Sequence, residues 1–416
     1  MQAQGDSDGQ AFFLARQSIL DSGQNLRAFE LLFRSSRHNV ADVGSTSTAT
    51  ATATTLSYAL HELGIESVLG DYRGFINLDA QMLLSDTIEL LPRAKIVLEI
   101  LETVVPTPAI VRRCRDLRDS GYTLAMDDFI HYDEALKPLL EVTQIVKVDL
   151  QFLDHAALRK TTCRLRGFQV QLLAEKVENL HQFNACVDLG FELFQGYYFA
   201  KPEMISGKKM SKSEMLLMRL LGMLMADADT AEIEKVFKLD PGLSVNMLRL
   251  VNSVASGCGK VTSLSSALMV LGRRQLQRWL QLLMFAQMSP CSEFPSPLLQ
   301  LAAARGKFLE LLSSGHKTAE DNAFMTGILS LMDALLGMPL AEIVGGLPIA
   351  GEVRDALFER GGSLGRMLML AEALERDDAA AMSAAMIALP GYTAAQVNSA
   401  VTQALRWANC IAHAGA

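Results

Sequence analysis

The sequence predicts an α/β barrel in the N-terminal half of the chain and an all-α domain in the C-terminal half. In the first half of the 416 residues, short apolar runs alternate with amphipathic stretches, which is typical of a mostly parallel sheet with crossover helices. Seven or eight such units in about 200 residues fit a closed, TIM-like β/α barrel better than an open sheet. After about residue 206, leucine, methionine and alanine recur at helical spacing, and almost no segment has the pattern of a strand.

The predicted strands are apolar runs of four to seven residues. In chain order they are FFLA (12–15), FELLF (29–33), GFINL (74–78), KIVLEI (95–100), YTLAMDD (122–128), IVKVD (145–149), VQLLAE (170–175) and FELFQ (191–195). Helical segments are predicted between them over 80–91, 107–119, 155–166 and 179–189. We expect this barrel domain to cover residues 10–205.

The C-terminal half carries clear helix-start signals. Asp229 precedes one apolar-periodic segment, Asp240-Pro241 opens a second and Ser263 precedes a third. The polar and basic segment 206–213 (SGKKMSKS) has the composition of a linker. We therefore expect an all-α domain of roughly ten helices over residues 214–416.

Composition excludes several classes of protein. Half of the residues are hydrophobic and a fifth are charged, which excludes a largely disordered chain. The formal charge of −8 argues against nucleic acid as a partner. Six cysteines without a CxxC pair argue against a zinc ribbon or a disulfide framework. Without a signal-peptide pattern or a membrane-spanning run, the expected location is the cytoplasm.

Polar side chains end the predicted strands in sequence order. A single acid at such a position could be a helix cap, but seven strand ends with the same chemistry favour a shared site. Strand ends converge on one face of a β/α barrel, where clustered carboxylates repel unless cations lie between them. Oxygen-only ligands select Mg²⁺, Mn²⁺ or Ca²⁺, and two such ions can clamp a phosphodiester and activate water. The residues are Glu30, Asn77, Glu99, Asp127, Asp128, Lys147, Asp149, Glu175, Glu178 and Gln195.

Ordered motifs in the first half resemble those of EAL domains. The resemblance covers roughly residues 10–205 and implies that the barrel binds cyclic di-GMP and, if active, hydrolyses it to the linear dinucleotide. The motifs are ARQSI (15–19), ELLFR (30–34), FIN (75–77), LEILE (98–102), MDDF (126–129), KVD (147–149), AEKVE (174–178) and FQGYYFAKP (194–202).

The resemblance implies a role for each matching residue. Mg²⁺ or Mn²⁺ is the implied cofactor, with Ca²⁺ as a non-productive substitute. The implied metal ligands are Glu30, Asn77, Glu99, Asp127, Asp128 and Glu178. The implied catalytic residues are Glu30, Lys147 and Glu175. The implied ligand-binding residues are Gln17, Arg34, Asp149 and Gln195.

Two features depart from the pattern of active EAL domains. The sequence after Phe129, IHYDEALKP, has no glycine, whereas active members have a small, glycine-rich loop there. Glu102 matches the glutamate that normally anchors this loop. Lys176 stands between Glu175 and Val177, where active members usually have glycine. Because supporting groups often decide activity, these departures predict weak or absent hydrolysis.

The second half resembles HDOD domains, which implies a non-catalytic helical module that binds a protein partner. The resemblance rests on KLDPGLSVNMLRLVNS (238–253), SLSSALMVLGRRQLQRWL (263–280) and AFMTGILSLMDALLGMPLAEIV (323–344). The chain contains no His-Asp dipeptide, which excludes the metal site of the related HD phosphohydrolases.

Three functions remain open at this point. The chain is a receptor that binds cyclic di-GMP without cutting it, an active metal-dependent phosphodiesterase, or a protein-interaction scaffold that binds no nucleotide. The partner's identity and the oligomeric state are not indicated by the sequence.

Overall fold

The computed structural model describes residues 12–35, 65–196, 210–254, 261, 263–286, 297–313, 315, 317–376 and 378–414. The chain packs into two compact units, which are described separately below. One unit combines Met1–Phe199 with Met369–Ala414, and the other is Ala200–Leu368. The first half of the predicted linker, residues 206–209, lies outside the described residues. No described helix is both long enough and apolar enough to cross a membrane.

The first unit contains the predicted closed barrel. Its strands follow one another around the barrel in sequence order. The first strand is antiparallel to both of its neighbours, and the other adjacent pairs are parallel. Only residues 22–25 connect the first two strands, which is too short for a crossover, so these strands form an antiparallel hairpin. The strands are β1 (Phe12–Asp21), β2 (Leu26–Ser35), β3 (Arg73–Leu78), β4 (Ile96–Ile100), β5 (Thr123–Met126), β6 (Ile145–Asp149), β7 (Gln171–Glu175) and β8 (Leu193–Phe194).

Crossover helices connect the parallel strands. Several begin at a side-chain cap that accepts a hydrogen bond from the first turn, including Thr107, Asp154 and Asn179. The helices are α1 (Ile65–Leu69), α2 (Ala80–Leu83), α3 (Pro108–Asp119), α4 (Lys137–Leu140), α5 (His155–Leu165) and α6 (Leu180–Asp188).

An apolar layer fills the barrel interior, with one buried residue from each strand. Side chains alternate between the two faces of a strand, so one inward position per strand gives a closed ring. The layer consists of Ile19, Ala28, Phe75, Val97, Ala125, Ile145, Leu173 and Leu193. It forms the floor beneath the polar side chains described below.

The last helix of the chain belongs to the barrel unit, although the sequence groups it with the helical domain. Asn398 Oδ1 accepts a hydrogen bond from the Leu14 amide of β1 at 3.0 Å. Arg16 donates to Asn409 Oδ1 at 3.2 Å and to the Val68 carbonyl at 2.5 Å. These contacts satisfy groups of β1 along an edge that pairs with β8 only at Leu20 and Asp21. The C-terminal helices of this unit are α17 (Ala379–Ala388) and α18 (Ala394–Ala414).

The second unit is helical, as predicted. Its described helices include a close crossing at Gly306 and Gly327, where a Cβ on Gly327 would lie 2.6 Å from the Gly306 Cα. Gly272 interrupts one helix with φ of 73°. The helices are α7 (Lys212–Met225), α8 (Thr230–Phe237), α9 (Pro241–Val254), α10 (Leu264–Ala286), α11 (Pro297–Leu312), α12 (Lys317–Leu329), α13 (Met332–Leu336), α14 (Leu340–Val344) and α15 (Gly351–Glu359); α16 (Gly362–Arg376) follows across the boundary between the units.

Candidate metal centre

A polar ring lies directly above the apolar layer of the barrel. Each of its members is two residues away from the layer residue of the same strand or strand end, so strand alternation directs both to the interior. On the antiparallel strand β1 the step runs backwards, from Ile19 to Gln17. The ring consists of Gln17, Glu30, Asn77, Glu99, Asp127, Lys147, Glu175 and Gln195.

Lys147 is the centre of the polar ring. Its Nζ lies 3.2 Å from Glu30 Oε2, 3.1 Å from Asp127 Oδ1 and 2.9 Å from Glu175 Oε1. It also contacts Glu99 Oε1. The Lys147 side chain is 1% exposed and that of Glu99 is fully buried. One buried ammonium therefore serves four carboxylates, and the ring keeps an excess of negative charge.

Amide side chains orient Glu30 within the polar ring. Gln195 Nε2 donates to Glu30 Oε2 at 2.7 Å and also contacts Gln17 Oε1. Asn77 Nδ2 donates to Glu30 Oε1 at 3.1 Å. Both carboxylate oxygens of Glu30 are thus fixed by neighbours from other strands.

Burial and mutual repulsion shift the ionisation of the ring. Burial raises the pKa of Glu99 well above its ordinary value, opposed by the charge of Lys147. Burial likewise raises the pKa of Glu175 to about 8. For Lys147 the effect of burial is outweighed by the surrounding carboxylates, which hold its pKa well above the usual range. A further cation would therefore stabilise the ionised carboxylates.

Four buried oxygen atoms of the polar ring accept no hydrogen bond from the residues that the structure describes. They are Asn77 Oδ1, Glu99 Oε2, Glu175 Oε2 and Gln195 Oε1. A buried oxygen without a donor costs about 1–3 kcal/mol, so four in one place call for a ligand. All four are hard oxygen atoms of the kind that ligate divalent cations such as Mg²⁺, Mn²⁺ or Ca²⁺.

A second acidic group lies at the mouth of the barrel. Carboxylate oxygens of Glu102, Asp127 and Asp128 lie within 4.8 Å of one another. Asp128 has a left-handed backbone, with φ of 42°. Partial burial raises its pKa, and the charge of Asp127 adds to this effect. Lys176 Nζ lies 3.7 Å from Asp128 Oδ1 and also contacts the fully buried Asp149.

The structure brings most of the residues singled out from the sequence into one site. Asp149 accepts a hydrogen bond from the Gln151 amide at 2.7 Å beside the ring. Glu178 is exposed in the loop before α6, and no contact with the ring is found for it among the described residues. The side chain of Arg34 lies outside the described part of the structure.

Two residues of the site were not among the predicted ligands. Lys176 departs from the motif of active EAL domains in the sequence, and its contacts with Asp128 and Asp149 depend on a left-handed backbone with φ of 56°. Glu102 was assigned to anchoring a loop, yet it lies with Asp127 and Asp128. Its position three residues after Glu99 was the available signal.

The raised pKa of Glu175 predicts that the metal-free barrel loses stability as pH rises. Its carboxyl keeps a proton in the folded state up to about pH 8, whereas the unfolded chain releases it near the ordinary value of 4.5. The folded state binds more protons in this window, so the free energy of unfolding falls as pH increases through it. In EDTA, we expect the urea midpoint of the wild type to decrease from pH 5 to pH 8.

Glu175→Gln is the matched control, because glutamine has no proton to release. Its urea midpoint is expected to change less over the same pH range. If the wild-type midpoint rose or stayed level between pH 5 and pH 8, and the midpoint of Glu175→Gln did the same, Glu175 would not be the cause of a pH-dependent stability.

Comparison with family models identifies two consecutive regions of the chain. The EAL domain matches residues 5–202 and the HDOD domain matches residues 214–338. Both matches, and their order, confirm the resemblances seen in the sequence motifs.

Individual relatives span nearly the whole chain. The cyclic di-GMP phosphodiesterase CdgJ of Vibrio cholerae serotype O1 is 32% identical over 409 residues, covering 96% of this chain and 93% of the relative. The uncharacterized protein YuxH of Bacillus subtilis is 31% identical over 376 residues, covering 88% and 91%. Among solved structures, BlrP1 of Klebsiella pneumoniae in a calcium and cyclic di-GMP complex aligns at 23% identity, with 48% of this chain and 58% of that chain covered and a TM-score of 0.40.

Proposed function

The chain belongs to the family of proteins in which an EAL domain is followed by an HDOD domain, and from this we propose that its barrel binds cyclic di-GMP together with a divalent cation. The observation that carries the proposal is the polar ring. Its four buried oxygens without donors and its excess of carboxylates over ammonium groups suit a cation, and a cation in turn suits the phosphates of a cyclic dinucleotide.

Each part of the ring has a role in this proposal. Glu30, Asn77, Glu99 and Asp127 would hold the divalent cation. The motifs also predict Asp128 and Glu178 as ligands; Asp128 lies at the mouth beside Lys176, and Glu178 is exposed. A bound divalent cation lowers the pKa of water and neutralises phosphate charge. Lys147 holds Glu30, Asp127 and Glu175 in place through direct contacts. Gln17, Arg34, Asp149 and Gln195 are proposed to contact the dinucleotide.

We propose that hydrolysis by this barrel is weak. The loop after Phe129 lacks glycine. Tyr132 of this loop packs against Phe168, with 6.2 Å between the ring centroids, and the Arg164 guanidinium carbon lies 5.2 Å from the centroid of the tyrosine ring. These contacts hold the loop against α5 and its C-terminal end. Lys176 adds a positive charge beside Asp128 and Asp149. Both features bear on the groups that would organise metal and water at the mouth of the barrel.

An active phosphodiesterase is the second candidate. The specific observation in its favour is that a relative 32% identical over 96% of this chain is a cyclic di-GMP phosphodiesterase. Under either candidate, we propose that the helical domain, which the sequence predicts over residues 214–416 after a linker at 206–213, relays the state of the barrel to a protein partner. Helices α7 to α15 of the second unit carry this role in the proposal, since α17 and α18 belong to the barrel unit. The absence of a His-Asp dipeptide supports a non-catalytic role for that domain.

Calorimetric titration of the full chain with cyclic di-GMP tests the proposal. The titration is made in Ca²⁺ and then in Mg²⁺ or Mn²⁺, and the Mg²⁺ and Mn²⁺ mixtures are analysed for the linear dinucleotide. Binding with slow or no product formation is the expected result. Rapid turnover would support the active phosphodiesterase instead, and absence of binding with every ion would overturn both and leave a protein-interaction scaffold.

A further inference from the structure

The Lys176 side chain joins two carboxylates at the mouth of the barrel. Its Nζ contacts Asp149 Oδ2 and lies 3.7 Å from Asp128 Oδ1. Asp149 is fully buried, whereas the Lys176 side chain is 42% exposed. The lysine therefore reaches from the surface into the acidic cluster and ends at a carboxylate that water does not reach.

The backbone at Lys176 makes this contact possible. Its φ of 56° lies in the left-handed region that favours glycine. Non-glycine residues held in this region concentrate at functional sites, where contacts elsewhere stabilise them. At Lys176 those contacts are the ion pairs with Asp149 and Asp128. Partial burial lowers the pKa of Lys176, but the hydrogen bond with Asp149 and the charge of Asp128 outweigh it and raise the pKa.

The acidic cluster offers two separate places for cations. The inner place is lined by the unpaired oxygens of Asn77, Glu99 and Glu175, which Lys176 does not contact among the described residues. The outer place lies where Asp128 meets Asp127 and Glu102. Lys176 shares Asp128 with this outer group, so its charge bears on the outer place.

We propose that the ammonium group of Lys176 takes the place of a second divalent cation, so that this centre binds one divalent cation instead of two. The inference rests on the proposed function in assuming that the inner oxygens hold a metal. A divalent cation at the outer place would have to share Asp128 with the ammonium. If the ammonium and a divalent cation lay about 4 Å apart at an effective dielectric constant of about 20, their repulsion would lower the affinity for that cation by well over a hundredfold.

The proposal also accounts for weak hydrolysis. Two-metal centres stabilise both the attacking and the leaving oxygen of a phosphodiester. A lysine ammonium can neutralise phosphate charge but does not bind water as a ligand or lower its pKa as a divalent cation does. A centre with one divalent cation and one ammonium retains dinucleotide binding and loses part of the hydrolytic machinery.

Counting bound Mn²⁺ tests the proposal without relying on activity. The full chain is titrated with MnCl₂ by calorimetry and by electron paramagnetic resonance of free Mn²⁺, for wild type, Lys176→Met and Lys176→Gly. Lys176→Met removes the charge while keeping most of the chain length, and Lys176→Gly also relieves the left-handed backbone, so it guards against misfolding. Lys160→Met, on the exposed face of α5, is the matched control.

Wild type and Lys160→Met are expected to bind one Mn²⁺ per chain. Both Lys176 variants are expected to bind two, with the second ion held at least about 100-fold more tightly than by wild type. Two ions of similar affinity in wild type, or one ion in folded Lys176→Gly, would overturn the proposal.

The outcome is separable from that of the proposed function. Cyclic di-GMP binding with two Mn²⁺ ions in wild type would refute the role of Lys176 and leave the nucleotide proposal intact. One Mn²⁺ in wild type and two in the variants, without nucleotide binding, would support the role of Lys176 and refute the proposal that the barrel binds cyclic di-GMP.

Discussion

Replacing Lys147 by methionine is expected to destabilise the metal-free barrel unit by about 3–5 kcal/mol, the usual cost of removing one partner from a buried ion pair. Lys147 is 1% exposed and is in contact with four carboxylates, including Glu30, Asp127 and Glu175. Methionine fills a similar volume but leaves these acids facing one another without a cation. The carboxylates would then either take up protons or repel one another.

The measurement is urea unfolding in EDTA, monitored on the barrel unit alone. Trp407 lies on α18 of that unit and Trp279 lies on α10 of the helical unit, so a Trp279→Phe background assigns the fluorescence change to the barrel. Lys160→Met, which changes an exposed lysine, is expected to alter stability by less than about 0.5 kcal/mol.

Addition of Mn²⁺ distinguishes the electrostatic cause from a packing defect. A divalent cation that binds the acids of the folded variant is expected to recover part of the lost stability, because ligands that bind only the folded state stabilise it. A loss below about 1 kcal/mol in EDTA would show that the carboxylates do not depend on Lys147.

Strand alternation explains why the sequence predicts so much of this site. The polar ring and the apolar layer are two residues apart on each strand or strand end, so the strand pattern places Glu99 above Val97 and Lys147 above Ile145. Closure of the barrel then brings these residues together although they are distant in sequence, so strand alternation and closure are enough to predict the ring. The local pattern and the global fold agree at these positions.

Features that depend on tertiary packing could not be predicted in the same way. The antiparallel direction of β1 follows from the short connection at 22–25, which is visible only once the strand ends are known. An amphipathic helix does not indicate its partner, so the sequence placed α18 with the helical domain, whereas Asn398 and Asn409 bind it to β1. The direction of the Lys176 side chain depends on a backbone angle that the residue type disfavours.

Replacing Glu30 by alanine is expected to abolish whatever hydrolysis the barrel supports, with a decrease of at least about 100-fold. Glu30 contacts Lys147 at 3.2 Å, accepts from Gln195 at 2.7 Å and accepts from Asn77 at 3.1 Å. Loss of an outer partner of a metal ligand typically costs about 10–100-fold, and loss of a proposed ligand that also orients its neighbours should cost more. Without Glu30, the Asn77 amide and Lys147 each lose a partner.

Product analysis and metal titration together test this expectation. Linear dinucleotide is measured over long incubations with excess Mn²⁺, and Mn²⁺ affinity is measured for the same preparations. Glu30→Gln keeps the shape but removes the charge, so a loss of metal affinity in both variants would assign the effect to the carboxylate. Glu141→Ala, an exposed acid after α4, is expected to match wild type in both assays. If Glu30→Ala kept both hydrolysis and Mn²⁺ affinity, Glu30 would not be a ligand of the metal. The contacts of Glu30 with Lys147, Gln195 and Asn77 would then have no role in metal binding.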